Sequence, residues 1–533
     1  MSRGNVSALL VLLAAGSAAS TNASANEWLT FGYDAERSGW NRQERSLSPQ
    51  NISQLKLLWQ TQLPVPTTDV VLASLTAPLV ATGVATAKGK RDLLFTVGMD
   101  DSLSALDASS GAVVWRKSFP NTIKPLRAAN INCSNTEQAT PVIDKPRGVI
   151  YFTTSDGMLR GAALKDGAER LKPAQMVAPF SRNWSLNLID SVVYTAAGRG
   201  CGGTAEQPIE PGTVAAMDVR DPANPVLTRF FTGKGRPSGP WGRGGPVRGP
   251  KGVYVQTADG PREPDAGLFG NAVLAVSPRA AGAADYFIPP EWKMLNAKDL
   301  DLGSGSPLVF RADGKDLVAT SSKDSVVYLL DANNLGGSDH ATPLYQSPRL
   351  GNEAGSYYAQ GVWGGISTYR TPQGDTYLYV PMWGPAAKDA SFPRRYGEAP
   401  HGSIMALRVA KEGSALVPQW ISRDLNLPDS VAVANGLVFA VQTGEQAIQH
   451  PDNPEGHGRP INGKPALTPA ELAKFRATPV APMTLFAFDA LTGQELYSSE
   501  LKDWVHFSQP VVAAGRVFLV SHDGHVYAFG LGR

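Results

Sequence analysis

One unit of sequence recurs along the whole chain, and it constrains the fold more than any other feature. It is an apolar β run, a polar turn with Asp or Gly, a second β run ending in an apolar–Asp pair, and a Gly turn. The clearest copy is Leu93 to Arg116, LLFTVGMDDSLSALDASSGAVVWR. Further copies begin at Val149, Val192, Val253, Leu317, Tyr377, Leu437 and Arg516. That makes eight, with most successive starts about 60 residues apart. A bare four-stranded blade takes about 45 residues, so the excess is loop. Such units, stacked radially, bury both faces against their neighbours and leave few exposed edges. The repeat predicts an all-β chain folded as an eight-bladed β-propeller. Leu55 to Gln62 (LKLLWQTQ) is strand-like without a partner of its own. It is expected to complete the last blade and close the ring.

Composition agrees. The 54 Gly and 41 Pro in 533 residues suit many short strands joined by tight turns. No linker divides the chain, so residues 26–533 are expected to form a single propeller. The one helical signal is Thr468 to Arg476, where Thr468, Pro469 and Glu471 form a capping box. Charge is nearly balanced at +2, and no long basic run marks a nucleic-acid-binding face. The seven His are scattered, and no His or Cys cluster has metal-ligand spacing.

The first residues read as a secretory signal. Arg3 is followed by the short apolar core Ala8 to Ala15 and by Ala23-Ser24-Ala25, an A-x-A cleavage site. Residues 1–25 are therefore expected to be a signal peptide, and the product periplasmic or secreted. No later segment is apolar enough to span a bilayer. Two cysteines, Cys133 and Cys201, form one bridge or stay as two buried thiols; the oxidising compartment favours the bridge.

SLSALDASSGAVVW and LFAFDALTGQELY resemble the propeller repeat of pyrroloquinoline quinone (PQQ) proteins. Trp28 to Trp59 looks like the opening of quinoprotein alcohol dehydrogenases, including the polyvinyl alcohol dehydrogenases. The resemblance covers essentially the whole mature chain. It implies a propeller of the quinoprotein alcohol dehydrogenase type, with PQQ and Ca²⁺ or a lanthanide on its axis. It also implies a small-molecule or polymeric alcohol as substrate and a separate electron acceptor such as a cytochrome. The chain has no C-x-x-C-H motif, so no haem is expected in it.

The resemblance carries over residue by residue. Asp299-Leu300-Asp301-Leu302-Gly303 is similar to the family segment with the catalytic Asp, which makes Asp299 the expected base that takes the alcohol proton and a candidate metal ligand. Asp301 matches the additional metal-binding Asp of lanthanide-using members. Lys323, in SSKDSVVYLLDA, matches the basic residue that contacts the quinone oxygens. Asp259 stands where the family has a metal-binding Asn, and hard oxygen ligands suit such ions. Trp241 matches the aromatic platform. Arg199 and Arg243, in Gly-rich loops, are candidates for binding an anionic cofactor. Two departures stand out. The family's adjacent Cys-Cys pair is absent, and Gly198 to Gly203 carries no counterpart of its metal-binding Glu.

Each feature has a plainer reading. Asp-x-Asp before Gly is a common turn former. Trp241, Trp363 and Trp383 also fit as packing between blades. The alternative function is a non-catalytic propeller that binds a protein or polymer, since the same repeat builds assembly scaffolds. A third reading, another hydrolytic chemistry on the axial carboxylates, has no positive sequence support.

Overall fold

A computed structural model describes residue 1 and residues 26–532, except 66–73, 128, 130–132, 137, 138, 199–201, 208, 356 and 448–466. The apolar leader, Arg199 and Cys201 therefore lie outside the described residues. Cys133 is disulfide-bonded.

Eight antiparallel four-stranded sheets form the eight blades, and two of them gain a short fifth strand. Blade four is Val247–Gly249, Gly252–Gln256, Val273–Val276 and Ala283–Phe287; blade five is Leu308–Ala312, Lys315–Thr320, Tyr328–Asp331 and Tyr345–Gln346. Each blade's first strand is innermost, and first strands of neighbouring blades touch. Leu55–Gln62 pairs with His525–Leu531 and supplies the outermost strand of blade eight, as the sequence predicts.

The sequence pattern explains the layering. Middle strands such as Ser102–Asp107 are buried at every position, because blades cover both their faces. Outer strands such as Glu495–Leu501 alternate in burial. The recurring Trp and Gly form the joint between blades. Trp115 of blade one donates its indole N–H to Leu164 O of blade two at 2.9 Å. Its ring covers Gly167, where an added Cβ would lie 2.9 Å from that ring and where φ is +71°. Only Gly accepts both the close approach and the left-handed backbone. Trp420 repeats the joint on Ala490 O, at 3.0 Å, and Gly493.

Residues 26–41 circle the axis. Backbone N–H groups of Val80, Ile143, Arg248, Val309, Thr368 and Val433, one from each of six inner strands, donate to Trp28, Leu29, Ala35, Glu36, Ser38 and Gly39. Asn41 bonds Val512 O of blade eight. Buried Arg37 bonds Leu186 O beside blade three at 2.9 Å and Gly244 O ahead of blade four at 2.8 Å. The opening segment is thus a plug that satisfies inner-strand donors and fills the axis.

The Thr468 capping box is present, with helix Pro469–Arg476 behind it. A second helix, Trp292–Lys298, has no clear sequence signal. Seven residues are too few to show a 3.6-residue stripe. Among the described residues, no helix is long and apolar enough to cross a membrane.

Candidate functional site

The second helix sets the site. It ends at Asp299, which takes the left-handed conformation (φ 54°, ψ 42°) while its N–H bonds Leu295 O. The chain then runs Asp-Leu-Asp-Leu. Leu300 and Leu302 are fully buried anchors, so the alternating aspartates face the other way. A Cβ at Gly303 would meet Ala258 N at 2.8 Å. Its absence lets this loop lie against the Asp259 turn that follows the second strand of blade four.

Asp259, Asp299 and Asp301 come together, with one oxygen from each lying within 4.8 Å of the others. Lys323, on the turn after the second strand of blade five, reaches into them. Its ammonium donates to Asp301 Oδ2 at 2.6 Å, Asp299 Oδ1 at 2.9 Å and Asp299 O at 3.0 Å. All three ammonium protons are thereby used. Asp301 Oδ1 accepts the Asp259 N–H at 3.0 Å.

Two residues missed in the sequence hold the Asp259 turn. Asn271 donates to Asp259 Oδ1 at 2.9 Å, and its own oxygen accepts the Leu302 N–H at 2.8 Å. Asn296, from the unexpected helix, accepts the Gly260 N–H and donates to Gly260 O. Neither has a local sequence signal, since their partners arrive from other loops.

The acids line a cavity of about 290 Å³ together with Lys323, Trp241, Trp363, Tyr357 and Arg182. The Lys323 ammonium sits 4.9 Å from the Trp363 ring and 5.5 Å from the Trp241 ring. Trp383 stacks behind Trp363 at 5.1 Å. Arg243 lies outside this lining. It is buried and paired with Asp429 at 2.5 Å, with its guanidinium 3.1 Å from the centre of the Phe507 ring. Glu210, in the blade-three loop that includes Gly198 to Gly203, accepts the Ala178 N–H and does not line the cavity.

The electrostatics are those of crowded acids. Burial, then the neighbouring Asp301, pushes Asp259 up to about 7. Burial also raises Asp301, with Lys323 opposing and Asp299 adding. Burial works against the charge on Lys323, but Asp301 and Asp299 outweigh it and hold its pKa above the ordinary value. Asp299 has the most open carboxylate of the Lys323-bonded pair, 35% exposed against 10% for Asp301. The set suits a hard cation bound by oxygens, beside the partly exposed Asp299 carboxylate.

A larger cleft, of about 1050 Å³, is lined by Asp34 and Glu36 of the plug and by the turns that follow inner strands. Most of its arginines are already paired, as Arg42 is with Asp34 and Arg311 with Asp316. It holds no comparable cluster of acids.

Residues 50–200 match the PQQ-repeat family model described as outer membrane protein assembly factor BamB. No curated protein matches the chain. Among solved structures, the quinohemoprotein alcohol dehydrogenase ADHIIG of Pseudomonas putida HK5 is 14% identical, with a TM-score of 0.60 over 95% of this chain and 80% of that one. The quinohemoprotein alcohol dehydrogenase of Comamonas testosteroni is 14% identical, with 0.58 over 95% and 81%. A europium-containing methanol dehydrogenase is 13% identical, with 0.57 over 94% and 89%. The chain is an eight-bladed β-propeller with the fold of the quinoprotein alcohol dehydrogenases, and residues 50–200 of it match the PQQ-repeat model.

Proposed function

We propose that this chain is an exported PQQ-dependent dehydrogenase that oxidises an alcohol or related hydroxyl compound and passes electrons to a separate acceptor such as a cytochrome. The observation that carries the reading is the meeting of Asp259, Asp299, Asp301 and Lys323 beside the Trp241 ring in one cavity. The residues fit the cofactors on their own chemistry. Three carboxylates against one lysine leave two negative charges for Ca²⁺ or a lanthanide to neutralise, and Trp241 offers a flat face to a planar ring. When bound, PQQ supplies a two-electron acceptor and the ion a Lewis acid.

The chain's own residues do the rest. Asp259 and Asp301 hold the ion. Asp299, the more open of the Lys323-bonded carboxylates, accepts the hydroxyl proton. Lys323 steadies Asp299 and Asp301 and presents positive charge beneath the rings of Trp241 and Trp363. The leader in residues 1–25 would deliver the chain to the periplasm or outside the cell.

The test is a titration of purified protein with PQQ and Ca²⁺ or a lanthanide, followed by quinone absorbance and melting temperature. A metal-dependent complex that melts higher is expected. Asp299→Ala should then lower turnover by about 100- to 10,000-fold with the fold intact. Undiminished turnover would reject Asp299 as the base. No binding with either ion would reject the dehydrogenase and favour the scaffold reading, to which the assembly-factor match over residues 50–200 also points.

A further inference from the structure

Arg182 lines the cavity and lies outside the acid cluster. It sits in the loop between blades two and three, its guanidinium 5.0 Å from the Trp184 ring and 5.5 Å from the Trp241 ring. Among the described residues, no carboxylate pairs with it and no acceptor takes its protons, and its Nε is buried without a partner.

Arg182 is half-buried. Two other arginines near the axis have acceptors, although Nε and Nη2 of Arg243 are also buried without one. Arg37 makes four bonds: to Gly244 O at 2.8 Å, Thr30 Oγ1 at 2.6 Å, Phe31 O at 2.7 Å and Leu186 O at 2.9 Å. Arg243 has Asp429. A guanidinium whose Nε is buried without an acceptor is costly. Burial, with Arg243 adding like charge and Asp301 opposing from beyond ion-pair distance, brings Arg182 down to about 10, which still leaves it charged at neutral pH. A charge held between two indoles at the wall of a cavity needs an anionic partner that enters from outside.

We propose that Arg182 is the carboxylate anchor of this cavity: the ligand seated beside Trp241 carries a carboxylate that the guanidinium grips, while the aspartates take a cation. The cavity is thus built for a bipolar occupant and selects against neutral ligands of the same shape. The inference rests on the proposed function in one respect. PQQ is an aromatic tricarboxylate, so it is the expected source of the carboxylate; a hydroxy-acid substrate is the other source. Bidentate N–H···O bonds from arginine suit either.

The mature chain, with Ca²⁺ or a lanthanide present, would be titrated with PQQ, with benzene-1,3,5-tricarboxylate and with glycolate, following tryptophan fluorescence. Arg182→Gln should weaken PQQ binding about tenfold or more, the loss expected of a charged hydrogen bond. Arg182→Lys should recover part of it. Unliganded Arg182→Gln should melt no lower than the wild type, because it removes an unpaired charge; a purely structural arginine would show the opposite. Arg182-dependent binding of glycolate with PQQ binding unchanged would assign the carboxylate to the substrate. Arg182-dependent binding of either carboxylate without any PQQ binding would keep the anchor and reject the quinone. Equal binding of every ligand by wild type and Arg182→Gln, or no carboxylate binding at all, would overturn the proposal.

Discussion

Two groups of buried ionisable side chains, on blades four and five and on blades seven and eight, handle charge in opposite ways. Around blades seven and eight, Arg243 from the loop ahead of blade four pairs with Asp429, Glu445 bonds His506, and Arg476 lies close by. Two arginines face two acids. Burial, helped by Arg476 and Arg243, holds His506 well below its ordinary pKa and so neutral. That group balances itself, and none of it lines the 290 Å³ cavity. On blades four and five, three aspartates meet one lysine and open into that cavity. The first arrangement locks loops together. The second carries excess negative charge, and burial with Asp301 beside it raises the pKa of Asp259.

The sharpest way to break this comparison is to unbalance the sealed group. Asp429→Asn leaves the Arg243 charge buried without its partner, which should cost about 3–5 kcal/mol of stability. Urea denaturation should show that loss equally with and without Ca²⁺ or a lanthanide. A loss that metal rescues would mean the two groups are one site. The complementary change is Asp301→Asn. In metal-free protein it relieves acid crowding while weakening one bond to Lys323, so stability should stay within about 1 kcal/mol of the wild type. Its effect should appear on adding metal. At a hundredfold excess over Kd the wild type should gain about 2.7 kcal/mol, and Asp301→Asn should gain little. An equal gain would remove Asp301 from the metal site.

The two regions were not equally legible in the sequence. Strand patterns and the Asp–Gly–Trp joint are local, so all eight blades and the closing strand Leu55–Gln62 could be read directly. The aspartates and Lys323 could be read because they stand in short motifs on three loops of blades four and five. Arg182, Asn271 and Asn296 could not. They gain meaning only from neighbours that other loops deliver, and Asn296 rides on a helix too short to announce itself. Arg243 shows the converse. Its Gly-rich loop invites a ligand-binding reading, yet the chain folds Asp429, 186 residues away, against it. Periodicity reports which face of a strand is buried, but it is silent on which loops meet.

The smallest expected effect tests the sign of charge burial in each region. His522 stacks on Trp504 at 4.3 Å. Burial, opposed by Asp523 and reinforced by Arg476, brings it down to about 4. Between pH 6.5 and 4 the unfolded chain therefore holds a proton that the folded chain refuses. The contribution of neutral His522 is complete above pH 6.5 and is lost as pH falls towards 4. His522→Gln cannot take up that proton, so its deficit relative to the wild type should shrink by about 1.4 kcal/mol per pH unit across that window. Asp259 in chelator-treated protein should behave inversely. Its folded pKa of about 7 exceeds the ordinary 3.8, so the folded chain keeps a proton the unfolded chain has lost, and stability falls as pH rises between those values. Asp259→Asn should gain on the wild type over that rise. Urea midpoints at pH 5.5 and 7.5 separate the cases. Opposite slopes sustain the contrast between His522, which burial keeps from taking a proton, and Asp259, which burial and Asp301 make hold one. Parallel slopes would erase it.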